Sequence, residues 1–404
     1  MYYVGVDIAK RSHYAAAHDE SGAVVVSPFP FDNTSQGFAK LLLALGQAGI
    51  DHDDCRIGME ATGHYWIALY DFLVSHGFDA VVINPIHTDA FRKVDTVRLT
   101  KTDPIDANLI AELLRVKRFT SSYLTDEPTD SLKQLTRYRL GLVGQCTMLK
   151  NKTTAVLDRV FPEYAELFSD PFGPTSRAVL KRCATPAQVK HVGVTRLARL
   201  IDGASLGRCG RPKAEAVMEA ARDSVGVSFS AEALALEVRM MVEQMEFIDA
   251  QVKYLDAEIA ELLEGSQGRW LLSIPGIGPT LAAQMTAEIG DAHRFSSAKK
   301  LIAYAGLDAT KCQSGERDDN GHMSKRGSSQ LRYALIQGAD GARRLDAYFG
   351  EYFAMKQAQG SPYYRSLTCV ARKLAGVVLS LMKEERPYEP APPEHHLPGH
   401  RGVA

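Results

Sequence analysis

Apolar and polar positions divide the chain into three stretches of different period. The first opens with Tyr2-Tyr3-Val4-Gly5-Val6-Asp7-Ile8-Ala9-Lys10, a strand-like run that is apolar around one carboxylate, Asp7. Ser12–Ala17 and Ala23–Val26 read as two further strands around the turn Asp19-Glu20-Ser21-Gly22, which predicts an antiparallel meander. Phe38–Leu45 has helical spacing, and Cys55–Met59 is a short strand ending at Glu60. An amphipathic helix runs from about His64 to Ser75, and Val81–Ile83 is a strand stopped by Asn84-Pro85. A last helix opens at Asp103-Pro104 and ends near Arg115. Hairpin strands followed by alternating helix and strand predict an α/β layer with a mixed sheet over residues 1–120.

The middle stretch, 121–265, changes to a helical period. Leu142, Cys146, Leu149, Thr153, Val156 and Val160 keep steps of four and three within Ser131–Phe161. Met241, Met245, Ile248, Val252, Leu255, Ile259 and Leu262 do the same within Ala231–Glu264. These seams predict coiled-coil helices over 121–161 and 231–265. Six basic side chains against Asp158 in the first face nine acids against Arg239 and Lys253 in the second. Opposite charge favours pairing of the two, within one chain or between protomers, and the basic helix has nucleic-acid backbone as its other partner. Between them, residues 162–230 read as an inserted helical subdomain, with helical stretches near Ala187–Ile201 and Lys213–Arg222 and a basic turn at Arg208–Lys213.

The third stretch, 266–385, is mainly helical, with helices expected at Phe295–Leu307, Ser328–Leu345, Ala347–Gln359 and Tyr364–Lys383. Residues 386–404 form a Pro- and His-rich tail expected to be disordered.

Composition narrows the class. A chain of 404 residues with 45% hydrophobic and 24% charged residues is an ordinary globular protein of two or three domains. It has no membrane-length apolar run and no signal-like start, which predicts a cytoplasmic location. Six scattered cysteines argue against a zinc site or a disulfide framework. A net charge of −1 means that any nucleic-acid surface must come from local clustering.

Candidate chemistry comes from both ends. Asp103 and Asp106 sit three apart on one helical face, and taken alone they read as an N-cap and a first-turn acid. Counted with Asp7 in a strand and Glu60 at a strand end, they make four carboxylates, each at an element boundary or a sheet edge, an oxygen-rich set suited to Mg²⁺ and phosphoryl transfer. Near the other end, Ser273-Ile274-Pro275-Gly276-Ile277-Gly278-Pro279 looks like a helix-hairpin-helix turn, whose Gly276 and Gly278 would present backbone N–H groups to a phosphate. The alternative is an ordinary Gly/Pro turn between packed helices. A loop from Lys311 to Gly327 gathers Ser314 and Ser324 with Lys311, Arg317, Lys325 and Arg326, and Arg332 follows. A serine there needs cations to hold phosphate charge. Asp318 and Asp319 oppose that role.

Four segments then resemble, in order and spacing, the RuvC-like domain of DEDD insertion-sequence transposases, the IS one-ten family that includes Piv-type DNA invertases. They are Gly5–Lys10, Met59–Gly63, Val82–Pro85 and Lys101–Ala107. The later half is similar to the family's transposase domain at Ile274–Gly278, Ala303–Leu307, Ser314-Gly315 and Ser324–Gly327 with Leu331-Arg332. The resemblance implies a ribonuclease-H-like fold with Asp7, Glu60, Asp103 and Asp106 as catalytic metal ligands for Mg²⁺, and Lys101 beside them on nucleic acid. It implies Ser314 as nucleophile, forming a 5′-phosphoserine with DNA, with Ser324 as the local rival. It also implies donor and target DNA, a noncoding bridge RNA that selects them, and a homo-oligomer, a dimer or a tetramer in the synaptic complex. Three other readings stay open at this stage: a RuvC-like nuclease acting by hydrolysis, a sugar-kinase-like ATPase, and a catalytically silent scaffold. The ATPase needs a second Gly-rich phosphate loop and an adenosine-binding Gly pair, and neither is found in a convincing place.

Overall fold

The structure, a computed structural model, describes residues 1–61, 63–95, 102–116, 125–314 and 317–390, of which 94, 95 and 310–322 are described at the backbone only. It divides into two compact units, Met1–Leu124 and Thr125–Ala404.

The first unit is built on the strand with the embedded carboxylate. β1 (Tyr2–Asp7) lies at the centre of a five-stranded sheet, antiparallel to β2 (Ser12–His18) and parallel to β4 (Cys55–Glu60). β3 (Val24–Asp32) pairs with β2 at one edge, and β5 (Asp79–Ile83) pairs in parallel with β4 at the other. This is the mixed sheet that the pattern predicts. β3 is longer than expected, because Pro28 and Pro30 read as breakers, yet an edge strand has one side on which a missing N–H costs no ladder bond.

Alternation along β1 sorts its side chains onto two faces. Val4, Val6 and Ile8 join a core with Leu41 and Leu45 of α1 (Ser35–Gln47) and with Leu69 and Leu73 of α2 (Trp66–Ser75). Tyr3, on the opposite face, packs with Ile110, Leu113 and Leu114 of α4 (Asp103–Arg115). Gly5 shares that face for a steric reason: a Cβ there would fall 2.1 Å from the Ala107 carbonyl oxygen, so α4 lies directly on β1. One helix goes beyond what the pattern predicts. α3 (Pro85–Asp95) starts where Asn84-Pro85 reads only as a strand stop, with Pro85 as its first residue.

In the second unit, α5 (Glu127–Val160) and α10 (Ala231–Glu264) lie side by side. Arg139 bonds Asp256, Cys146 approaches Asp249, and Thr153 contacts Met241, so the partners advance by seven along α5 while they retreat by seven and eight along α10, and the two helices are antiparallel. The insert between them forms α6 (Pro174–Arg182), α7 (Pro186–Val192), α8 (Val194–Ser205) and α9 (Gly210–Asp223). Arg177 and Lys181 of α6 pair with Asp249 and Glu246 of α10 and dock the insert on the acidic helix.

Beyond α10 come α11 (Pro279–Ile289), α12 (Ala298–Tyr304), the hairpin β6 (Ala309–Ser314) and β7 (Arg317–Met323), and then α13 (Ser329–Leu345), α14 (Ala347–Ala358) and α15 (Tyr363–Glu384). Two expectations are corrected here. The Ser- and Lys-rich segment that reads as a loop is a two-stranded ribbon, whose polar composition hid it because a lone hairpin needs no buried face. The residues before Ile274 form a 3-10 helix, Gln267–Ser273, rather than the helical run of a helix-hairpin-helix. Residues 391–404 of the tail lie outside the described residues. No helix among the described residues is long and apolar enough to cross a membrane.

Candidate functional site

Asp7 and Glu60 end the neighbouring parallel strands β1 and β4, one residue beyond the paired Val6 and Met59. Asp7 has the parity of Tyr3 and Gly5, and Glu60 that of Gly58, whose space is filled by Leu114. Both carboxylates therefore rise on the face that α4 covers. The direction of α4 follows from its ends: Ala107 sits on Gly5, whereas Arg115 reaches the Glu20 carbonyl, and Glu20 in turn pairs with the amino group of Met1. The helix thus runs opposite to β1, and its first turn, carrying Asp103 and Asp106, points toward the strand ends where Asp7 and Glu60 stand. The positive end of the helix dipole faces the same place.

α3 completes the cluster with two residues that the sequence reading missed. Thr88 donates to Glu60 Oε2 at 3.0 Å, and one turn later Arg92 donates to Asp106 Oδ1 at 2.8 Å. Asp106 is buried and Arg92 nearly so, with side chains 5% and 12% exposed. Arg92 also pairs with Asp89 at 3.2 Å. A four-residue spacing of a hydroxyl and a guanidinium on one helix face was the available signal. Asp103 is exposed, and its expected N-cap position belongs to Thr102. Lys101 lies outside the described residues.

Carboxylate oxygens are the donors that Mg²⁺ takes, so the set suits that ion in the chemistry of its donors. Among the described residues, no three acid, His or Cys side chains stand close enough together to hold a metal, and Asp106 is engaged by Arg92.

In the second unit, Ser314 is the last residue of β6 and pairs with Arg317; Gln313 pairs with Asp318 and Lys311 with Asn320 in register. The base of this ribbon is closed tightly. The Ser324 N–H donates to the Asp308 carbonyl, the Ser324 hydroxyl donates to the Asp308 carboxylate, and Lys325 takes a left-handed φ of 52° while donating to Gly306. Arg332 donates to the Ala305 carbonyl at 3.0 Å, and Arg372 to that of Leu307 at 2.6 Å. Arg332 is thus a brace of the hairpin base, whereas Lys325 and Arg326 are exposed. Gly276, at φ 92°, lies against the backbone of Gly341 in α13, where a Cβ would come within 2.4 Å. Gly278 is exposed and caps α11.

Comparison with known proteins covers both regions. A DEDD-type transposase family model matches residues 4–162, and a model of the IS116/IS110/IS902 transposase family matches residues 268–354. An uncharacterized 44.8 kDa protein of insertion element IS116 from Streptomyces clavuligerus is 26% identical over 97% of both chains. A putative transposase of the IS117 mini-circle of Streptomyces coelicolor is 25% identical over 84% of this chain and 85% of its own. The pilin gene-inverting protein of Moraxella bovis is 23% identical over 96% of this chain and 97% of its own. With one match on the sheet that gathers the acids, another on the unit that carries the hairpin, and relatives running nearly end to end, the chain belongs to the IS110-type family of DEDD transposases and is a DNA-processing enzyme.

Proposed function

We propose that this transposase cuts and rejoins DNA through a serine ester, with Ser314 as nucleophile and Asp7, Glu60, Asp103 and Asp106 as the acids that hold Mg²⁺. The reading is carried by the arrangement of Asp7 and Glu60 on adjacent strand ends under the first turn of α4. Bound Mg²⁺ would supply Lewis-acid polarisation of the phosphate and stabilise the attacking and leaving oxygens. Arg92 holds Oδ1 of Asp106, one of the two oxygens that this acid could offer a metal.

In the proposed reaction, the Ser314 hydroxyl oxygen bonds to phosphorus, the bond from phosphorus to the 3′ oxygen breaks, and the 3′ oxygen leaves as a hydroxyl. A 3′ hydroxyl of the exchanged strand then attacks the phosphoserine and regenerates Ser314, so one phosphoester replaces another without hydrolysis. Lys325 and Arg326, exposed at the hairpin base, are suited to phosphate charge. Ser324, whose hydroxyl donates to the Asp308 carboxylate, is the local rival that the test below must separate from Ser314.

The α5 and α10 seams are read as a coiled coil, and a homo-oligomer as the working form, a dimer or a tetramer at synapsis, in which acids and serine from different protomers complete one site. A noncoding bridge RNA pairing with donor and target DNA is the proposed selector. Its support is the family alone.

The test is a covalent adduct trap with cognate RNA and labelled DNA ends. Denaturing electrophoresis should show a protein-linked DNA strand that disappears in Ser314→Ala and persists in Ser324→Ala. Cleavage without an adduct in the unaltered protein would mean hydrolysis and defeat the serine mechanism.

A further inference from the structure

The insert of α6 to α9 lies between the two matched regions, and neither family model covers it. It is the most positively charged part of a chain that is nearly neutral overall: residues 174–223 hold ten basic and four acidic side chains. Arg177 and Lys181 are consumed in docking the insert on α10, and Arg211 pairs with Glu215. Arg182, Lys190, Arg196 and Arg199 are all exposed, and no acid among the described residues pairs with them.

These four cluster around one corner. α7 ends at Val192 and α8 begins at Val194, so Gly193 alone turns the chain, at φ 78°. Lys190 stands in the last turn of α7 and Arg196 in the first turn of α8, with Arg199 one turn further on. Arg182 and His191 line one recess beside the corner; Glu232, which also lines it, accepts from Gln188. The start of α8 has no side-chain cap, and a Cβ on Gly193 would meet nothing within 4 Å, so the corner is open to an approaching anion.

We propose that this corner binds the phosphate backbone of duplex DNA, without reading sequence, as a contact additional to those of the exchange site. Charge complementarity selects a polyanion. The choice of a duplex rests on composition: residues 174–223 contain no Phe, Tyr or Trp, the side chains on which unpaired bases stack. DNA is the polymer on which this enzyme family acts. The proposal depends on family membership and not on the serine mechanism, so either can fail alone.

The experiment uses the full chain and a 30-base-pair duplex of arbitrary sequence, with no RNA present, and compares it with Lys190→Gln/Arg196→Gln/Arg199→Gln. Fluorescence anisotropy across a salt series should show affinity reduced about tenfold or more near 0.1 M salt. The slope of log K against log salt should become shallower by roughly 2.7, about 0.9 for each phosphate that the variant no longer neutralises. The charge-preserving Lys190→Arg/Arg196→Lys/Arg199→Lys protein should bind as the unaltered one does, which separates charge from fold. Unchanged affinity and slope in the Gln variant would overturn the proposal. So would a larger loss on single-stranded or duplex RNA of the same length, which would assign the corner to RNA, or equal weakening in both variants.

Discussion

Arg92 Nη2 donates to Asp106 Oδ1 at 2.8 Å, a pair almost closed to solvent at the point where α3 meets the first turn of α4. The pair neutralises a buried acid of the proposed metal set and occupies one of its two carboxylate oxygens. Arg92→Ala leaves the carboxylate buried without its cation and should destabilise the first unit by about 3–5 kcal/mol. Arg92→Ala/Asp106→Asn removes the charge as well and should recover much of that loss. Denaturant unfolding of the three proteins checks the order, and a double variant no more stable than Arg92→Ala would contradict it.

Gly5 fixes how closely α4 can lie on the sheet. In Gly5→Ala the new methyl would stand 2.1 Å from the Ala107 oxygen and 2.3 Å from the Ala111 nitrogen, both backbone atoms that cannot rotate away. The cost should reach at least about 3 kcal/mol, the upper part of the overpacking range. Gly58→Ala should cost less, because it meets the side chain of Leu114, which can shift. Thermal unfolding of the two variants side by side ranks them.

Glu288 is the anchor of the second unit, with its side chain only 1% exposed. It accepts from Arg137 of α5 through both oxygens, at 2.7 and 3.1 Å, and from the Ser328 hydroxyl at the start of α13 at 2.7 Å. Glu288→Ala should destabilise by about 1–3 kcal/mol, because the Arg137 it leaves behind is 43% exposed and can be solvated, and should loosen the hairpin that precedes Ser328. Faster amide hydrogen exchange over 305–328, measured by mass spectrometry, is the expected signature. Exchange rates equal to those of the unaltered protein would show that Glu288 holds nothing there.

Lys373 should titrate unusually low. Its ammonium lies 4.4 Å and 4.2 Å from the ring centroids of Tyr348 and Tyr352, contacts that favour charge, but burial, with repulsion from Lys356, outweighs them and pushes its pKa down to about 8. The unfolded chain keeps the proton until its ordinary value of 10.5. Between about 8 and 10.5 the unfolded state therefore holds more protons, and this lysine makes stability rise with pH. Amine-selective acylation near pH 8, read by peptide mapping, should modify Lys373 well ahead of Lys299 and Lys300. Equal rates for the three would refute the shift.

How much of this was legible in the residues depends on whether the signal was local. The apolar runs of β1 and β4 predict buried strands and place Glu60 at a strand end, whereas Asp7, read as lying inside its strand, proves to be the last residue of β1. The heptad steps of Met241 to Leu262 likewise mark the later two thirds of α10. What failed to show was a partner distant in the chain. Thr88 and Arg92 look like ordinary surface positions until Glu60 and Asp106 are found beside them. Arg332 reads as a phosphate contact until its donation to Ala305 is known, and Gly276 reads as phosphate-facing until Gly341 is seen against it. The β6–β7 ribbon is held by cross-strand backbone bonds, which leave no trace in side-chain periodicity.

Because α5 and α10 run in opposite directions over 34 residues each, about 50 Å of helix separates the two ends of the pair. Arg137 and Asp256, which touch Glu288 and Thr280 of α11, mark the end nearest α11. The chain turns back at the other end, and the connection there can grow or shrink by dozens of residues without shifting α11 or the ribbon beyond it. The helix pair acts as a mast: evolution can change what flies at its top while the deck below stays as it is.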